Sequence, residues 1–220
     1  MFKYRLTFSK TGYAKYVSHL DLMRMFQRAF KRAELPISYS QGFNPHQKMS
    51  IGFPLPLGVT GTHEYMDIEL DENLSFEELT DRLNAALPPD FKIISAMTPQ
   101  MKASLLKWAS YSVEIFLTEG ILNLKEKADV VFAMPEIVVE KKTKKGVSET
   151  DIKPAIKSVK THTPDNKTLV LNLVLSCADG TNLKAQTVAD ALAKYVENFN
   201  IEHITINRDG LFLENMTEIC

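Results

Sequence analysis

The sequence predicts an α+β fold of two tandem ferredoxin-like (βαββαβ) units, each built on an antiparallel sheet. Three observations predict it. Phe2, Tyr4, Leu6 and Phe8 alternate with Lys3, Arg5 and Thr7, the period-two pattern of a strand with one buried face. Ser18 and Ser75 each stand three residues ahead of an acid, Asp21 and Glu78, and each opens an apolar repeat of helical period. After residue 110 the strand and helix patterns start again. The expected domains are 1–98 and 111–220, with 99–110 as a linker or short bridging helix.

The elements follow in order. Thr11-Gly12 ends the first strand. In the helix over 19–33, Leu22, Met23, Phe26, Ala29, Phe30 and Ala33 share one face, and Arg24, Arg28, Lys31 and Arg32 share the opposite one. Glu34-Leu35-Pro36 stops it. A strand over 48–53 runs through Met49, Ile51 and Phe53, and Pro54 and Pro56 break it. Gly58 and Gly61 turn the chain into a strand over 64–70, apolar at Met66, Ile68 and Leu70. The helix from Ser75 runs to about 87, where Pro88-Pro89 closes it, and 91–97 is the fourth strand.

The second unit reads as a strand over 111–117, a helix over 121–132 stopped by Pro135, and a strand over 136–142. A hairpin tip falls at Lys144-Lys145-Gly146, followed by strands over 155–162 and 168–177. Leu183, Ala189, Leu192 and Val196 predict a helix over 182–197, and 203–207 and 211–213 complete the sheet.

Composition narrows the function classes. An apolar fraction of 45% and a charged fraction of 24% are those of an ordinary globular protein. Cys177 and Cys220 lie too far apart in sequence for a disulfide framework or a metal-ligand spacing, and they suit a reducing cytoplasm. Met1-Phe2-Lys3 leads straight into a strand, so no signal peptide is expected, and no apolar run predicts a membrane span. No GxGxxG opens a helix, no P-loop is present, and no Ser or Cys sits in a nucleophile elbow. His19, His46, His63, His162 and His203 are scattered, although His63 and Asp67 point to one side of a strand. Neither a metal nor a cofactor is expected.

Charge is uneven. The net charge is −1, yet residues 1–50 carry nine cations against Asp21 and Glu34, a local +7. Such a basic region points to an anionic partner. Arg24, Arg28, Lys31 and Arg32 on one helix, with Lys48 beyond it, are spaced to displace counterions from a phosphate backbone. Tyr13, Tyr16, Tyr39 and Phe43 flank that helix, and aromatics among cations are what single-stranded RNA stacks on. The loop of Tyr39, Ser40, Gln41, Gly42, Phe43, Asn44, Pro45 and His46 is the expected site: Gly42 permits a turn, and Pro45 stiffens the approach to His46. His19 and His46 are the candidate acid–base groups for a ribose 2′-hydroxyl, each equally suited to plain loop hydrogen bonding.

The runs FSKTG (8–12), YVSHLDLMR (16–24), RAFKRAELPISYSQGFNPH (28–46), PLPLGV (54–59) and EYMDIEL (64–70) resemble the bacterial radical-SAM-linked protein family. That family is a domain of unknown function found beside a radical SAM protein or fused to one. Asp151-Ile152-Lys153-Pro154 and Arg208 ahead of Leu211-Phe212 fit it too, while Gln47 and Gly52-Phe53-Pro54 depart from it. The resemblance implies a radical SAM partner that carries the iron–sulfur cluster, because this chain has no three-cysteine motif. Together with the basic helix and the loop, it makes the expected protein a non-enzymatic accessory that binds RNA or presents a substrate, with no membrane. A second, architectural resemblance is to the CRISPR repeat-processing endoribonucleases, with Gly210 standing alone where those enzymes carry a glycine-rich loop. It implies a metal-independent nuclease as an alternative; a protein-docking scaffold is the other.

Overall fold

The structure is a computed structural model that describes residues 1–143 and 146–219. The expected lysine tip at Lys144 and Lys145, and the side chains of Lys141 and Lys142, lie outside the described residues. The fold is mixed α/β with mostly antiparallel sheet and four α-helices among the described residues. The chain divides into two units, one of Met1–Leu106 with Arg208–Cys220 and one of Lys107–Asn207.

The first unit contains β1 (Phe2–Lys10), a 3₁₀ helix (Gly12–Tyr16), α1 (His19–Arg32), β2 (Met49–Ile51), β3 (Thr60–Leu70), α2 (Phe76–Ala86) and β4 (Phe91–Met97). β1 lies between β4 and β3, antiparallel to both, with Leu6 opposite Ala96 on one side and Met66 on the other. β2 pairs antiparallel with β3, placing Met49 opposite Ile68. The strand order is therefore β4-β1-β3-β2. Both expected caps form: Ser18 Oγ accepts from the Asp21 amide at 3.2 Å and Ser75 Oγ from the Glu78 amide at 3.1 Å. The apolar stripes of the helices meet the sheet in one core containing Tyr4, Leu6, Phe8, Leu22, Phe26, Phe30, Met66, Ile68, Leu79 and Leu83. Arginines satisfy the helix ends: Arg32 donates to Ala86 O at 2.7 Å, and Arg82 to Ala33 O at 2.9 Å.

Three expectations change here. Phe2 is exposed, so the buried face of β1 starts at Tyr4. The other face of β1 is also covered, since Arg5 and Thr7 are buried. The segment 98–106, expected as a linker, contributes to that cover by reaching Arg5. Arg5 donates to Asp67 at 2.7 and 2.9 Å and to Met101 O at 2.8 Å. A Cβ on Gly52 would stand 2.5 Å from Ala103 Cβ, so that close approach needs glycine. Finally, residues from Arg208 onwards belong with this unit, where the sequence assigns them to the second.

The second unit contains β5 (Trp108–Leu117), α3 (Leu124–Ala133), β6 (Val138–Thr143), β7 (Gly146–Asp151), β8 (Ile156–His162), β9 (Thr168–Ser176), α4 (Ala185–Tyr195) and the first part of β10 (Ile201–Phe212). β9 lies between β5 and β8, antiparallel to both, and β10 pairs with β5. β6 and β7 form a separate ribbon, so the strand expected over 136–142 is one arm of a hairpin. Helix α3 starts later than expected because Asn123 adopts φ +54°. Extended Lys184 likewise delays α4. The two short strands expected at the end are one continuous strand, β10. Among the described residues no helix is long and apolar enough to cross a membrane.

Candidate functional site

The chain leaves α1 through Glu34 at φ +50° and turns back towards β3. Ser38 N donates to Glu69 O at 2.8 Å, Lys48 N to Ser38 O at 2.8 Å, and Glu69 N to Lys48 O at 3.1 Å. Tyr39 bridges Gln47, and Ser40 N donates to His46 O at 2.8 Å. Residues 38–48 thus form a hairpin stem whose tip is Gln41, Gly42, Phe43, Asn44 and Pro45. Gly42 takes φ +128° with nothing within 4 Å of an added Cβ, so glycine is required there by the backbone angle and not by space.

The expected loop residues brace one another. Ser40 Oγ accepts from the His46 amide at 3.1 Å and lies 2.8 Å from His46 Nδ1. Gln47 Nε2 donates to Tyr39 Oη at 3.3 Å, and Ser38 Oγ donates to Asp71 Oδ1 at 2.6 Å. On this stem Phe43 is exposed at 105% of its reference area, and Asn44, Pro45 and His46 are exposed beside it.

The expected basic face is less free than the sequence suggests. Arg24 pairs with Asp21 at 3.2 Å. The Ser18 hydroxyl, with Arg24, holds the Asp21 carboxyl below its ordinary range. Arg32 caps α2, and Lys48 pairs with Glu69 at 2.7 Å. Arg28 and Lys31 are exposed and, among the described residues, have no hydrogen-bond or ion-pair partner. His19 is exposed in the first turn of α1. The structure therefore joins Ser40 with His46 and Tyr39 with Gln47, and draws Arg24, Arg32 and Lys48 into separate pairs.

Sequence reasoning missed a buried charge cluster in the same unit. Arg208 Nε donates to Glu64 Oε1 at 2.9 Å, and Nη2 reaches the second carboxylate oxygen and Phe53 O. The guanidinium carbon lies 4.8 Å from the Phe53 ring centroid. Lys10 is buried nearby and donates to Val17 O at 3.0 Å. Burial lowers the Lys10 pKa, Glu64 opposes that shift and Arg208 adds to it. A Cβ on Gly61 would stand 2.4 Å from Glu64 Oε1, so this glycine makes room for the carboxylate. A signal was present: Lys10 continues the apolar series of Tyr4, Leu6 and Phe8, and Glu64 heads that of Met66, Ile68 and Leu70.

Among the described residues no group of three or more His, Cys, Asp or Glu could hold a metal ion. Asp67 is held by Arg5, and His63 Nδ1 lies 3.1 Å from Asp209 O.

Comparisons with known proteins add the following. The chain is similar to one from the crystal structure of a Cbf5-Nop10-Gar1 complex, at 9% identity and a TM-score of 0.51. That match covers 93% of this chain and 47% of the other, so the chain spans about half the length of its structural relative. At this identity the likeness concerns the fold. A structure of an unknown protein from Galdieria sulphuraria matches at 14% identity with a TM-score of 0.27, covering 94% of this chain and 98% of that one. No curated protein matches by sequence. Residues 3–185 match the model of a family described as an uncharacterized protein conserved in bacteria (DUF2344), and with most of its length inside that match the chain belongs to this family.

Proposed function

We propose that this protein is a non-catalytic accessory that binds single-stranded RNA through the tip of the 38–48 hairpin and works beside a radical SAM protein. The observation that carries the reading is Phe43, held wholly in solvent on a stem tied at Ser38, Tyr39 and Ser40. The stem is fixed before binding, and the ring at its tip is open to a base on both faces. Arg28 and Lys31 are the cations left to meet phosphates. The radical SAM partner rests on the resemblance carried by residues 8–70, and a cytoplasmic location goes with it. We also read both units as ferredoxin-like. What supports this is the strand order, β4-β1-β3-β2 in one and β10-β5-β9-β8 in the other, with β6–β7 as an insertion.

A second reading, a hairpin that docks a protein, is favoured by the pairing of Arg24, Arg32 and Lys48 within the chain. Binding of labelled RNA over a salt series separates the two. Phe43→Ala should weaken binding to every single strand by about tenfold. Arg28→Ala with Lys31→Ala should lower the salt slope by roughly two phosphate equivalents. Wild-type protein without salt-dependent RNA binding would contradict the proposal, and Phe43-dependent capture of the purified radical SAM protein would then establish docking. RNA cleavage in EDTA that is lost in His46→Ala would replace the accessory role with a nuclease.

A further inference from the structure

We infer that Tyr13 and Tyr16, at the other end of β1 from the hairpin, form a second stacking platform for bases of a single strand; this rests on the RNA-binding reading above. The two tyrosines lie on the 3₁₀ helix Gly12–Tyr16. Residues three apart eclipse in a 3₁₀ helix, so Tyr13 and Tyr16 leave the same side of it, about 6 Å apart along the axis. They are 85% and 63% exposed, while Ala14 between them is buried. The short helix thus meets its packing need with Ala14 alone and leaves two large rings in water.

The platform is held from several sides. Thr11 N donates to Asp90 O at 2.9 Å, and Ala14 N donates to Asp90 Oδ2 at 3.2 Å. Gly58 N donates to Lys15 O at 2.8 Å, and buried Lys10 ties down the following residue through Val17 O at 3.0 Å. Gly12, at φ +52°, lets the chain enter the helix beneath the Asp90 carboxylate. The backbone that carries the two rings is thus set before a ligand arrives.

Charge selects the occupant. The Lys15 ammonium lies 5.2 Å from the Tyr16 ring centroid, which puts a cation beside one of the two faces. Among the described residues the Lys15 ammonium makes no ion pair, so its charge is open to a phosphate. A flexible polyanion with a flat ring on each repeating unit satisfies both features, and that is a single-stranded nucleic acid. Leu20 and Leu57 are also exposed nearby in sequence or along the Lys15–Gly58 tie, so an apolar protein surface is the competing occupant.

The test compares wild type, Phe43→Ala, Tyr13→Ala/Tyr16→Ala and Tyr13→Phe/Tyr16→Phe by fluorescence anisotropy. The probe is a labelled single-stranded RNA of about twelve nucleotides, within the site sizes such proteins occupy. The alanine pair should weaken binding about tenfold or more, without changing the salt slope. The phenylalanine pair should stay within about twofold of wild type, because the ring faces carry the contact. Thermal midpoints should be unchanged, since both side chains are exposed. If wild type binds and Phe43→Ala weakens it while the alanine pair matches wild type, the platform is refuted and the hairpin site stands. A salt slope that falls with the alanine pair would also overturn stacking. If wild type does not bind RNA, both assignments fall together.

Discussion

Glu64→Ala should destabilise the first unit by about 3–5 kcal/mol, because it leaves a guanidinium buried without its carboxylate. Arg208 and Glu64 are both essentially inaccessible to water. Neither can recover solvation without opening the sheet, and Lys10 would lose the one nearby charge that offsets its burial. The sensitivity follows from losing one partner and not from any large net value of the pair. Glu64→Leu with Arg208→Met should therefore recover most of the loss, as apolar replacements of buried ion pairs commonly do. Far-UV circular dichroism in urea is the suitable readout, since it follows the strands and helices of the first unit directly. A loss below about 1 kcal/mol for Glu64→Ala would show that the carboxylate does not hold Arg208.

Phe30→Ala should cost a similar amount, about 3–5 kcal/mol, for an apolar reason. Phe30 is fully buried, 6.0 Å from the Phe26 ring, and Phe26 meets Phe8 edge-on at 5.2 Å. Removing the ring forfeits its transfer energy and leaves a space that the β1 and β3 side chains cannot fill without leaving their register. A variant that unfolds at the wild-type urea midpoint would refute the packing of α1 on this sheet.

The parts of the fold legible in the sequence were those that local periodicity encodes. Period-two alternation located β1 and β3, and the serine caps located the starts of α1 and α2 within a residue. What escaped depends on residues far apart in the chain. Arg5 reads as solvent-facing by alternation, yet residues 98–106 help cover it through a bond to Met101 O, ninety-six positions away. Arg208 pairs with Glu64 across 144 positions, and no repeat in the sequence records that. The candidate loop stood out in the sequence for a different reason: Tyr39, Gly42, Phe43, Asn44, Pro45 and His46 make a mixture that packing does not require. The structure added what each does, with Ser40 and His46 bracing the stem and Phe43 presented at its tip. The basic face of α1 was overread, because spacing alone does not show that Arg32 turns to cap α2.

Ultraviolet cross-linking of a short single-stranded RNA to the protein, followed by mapping of the modified peptides, tests the central claim most directly. The account predicts adducts at the hairpin tip around Phe43 and on the Gly12–Tyr16 helix, suppressed by competitor RNA and by high salt. Adducts confined to Lys107–Asn207, or none above a bovine albumin control, would contradict it.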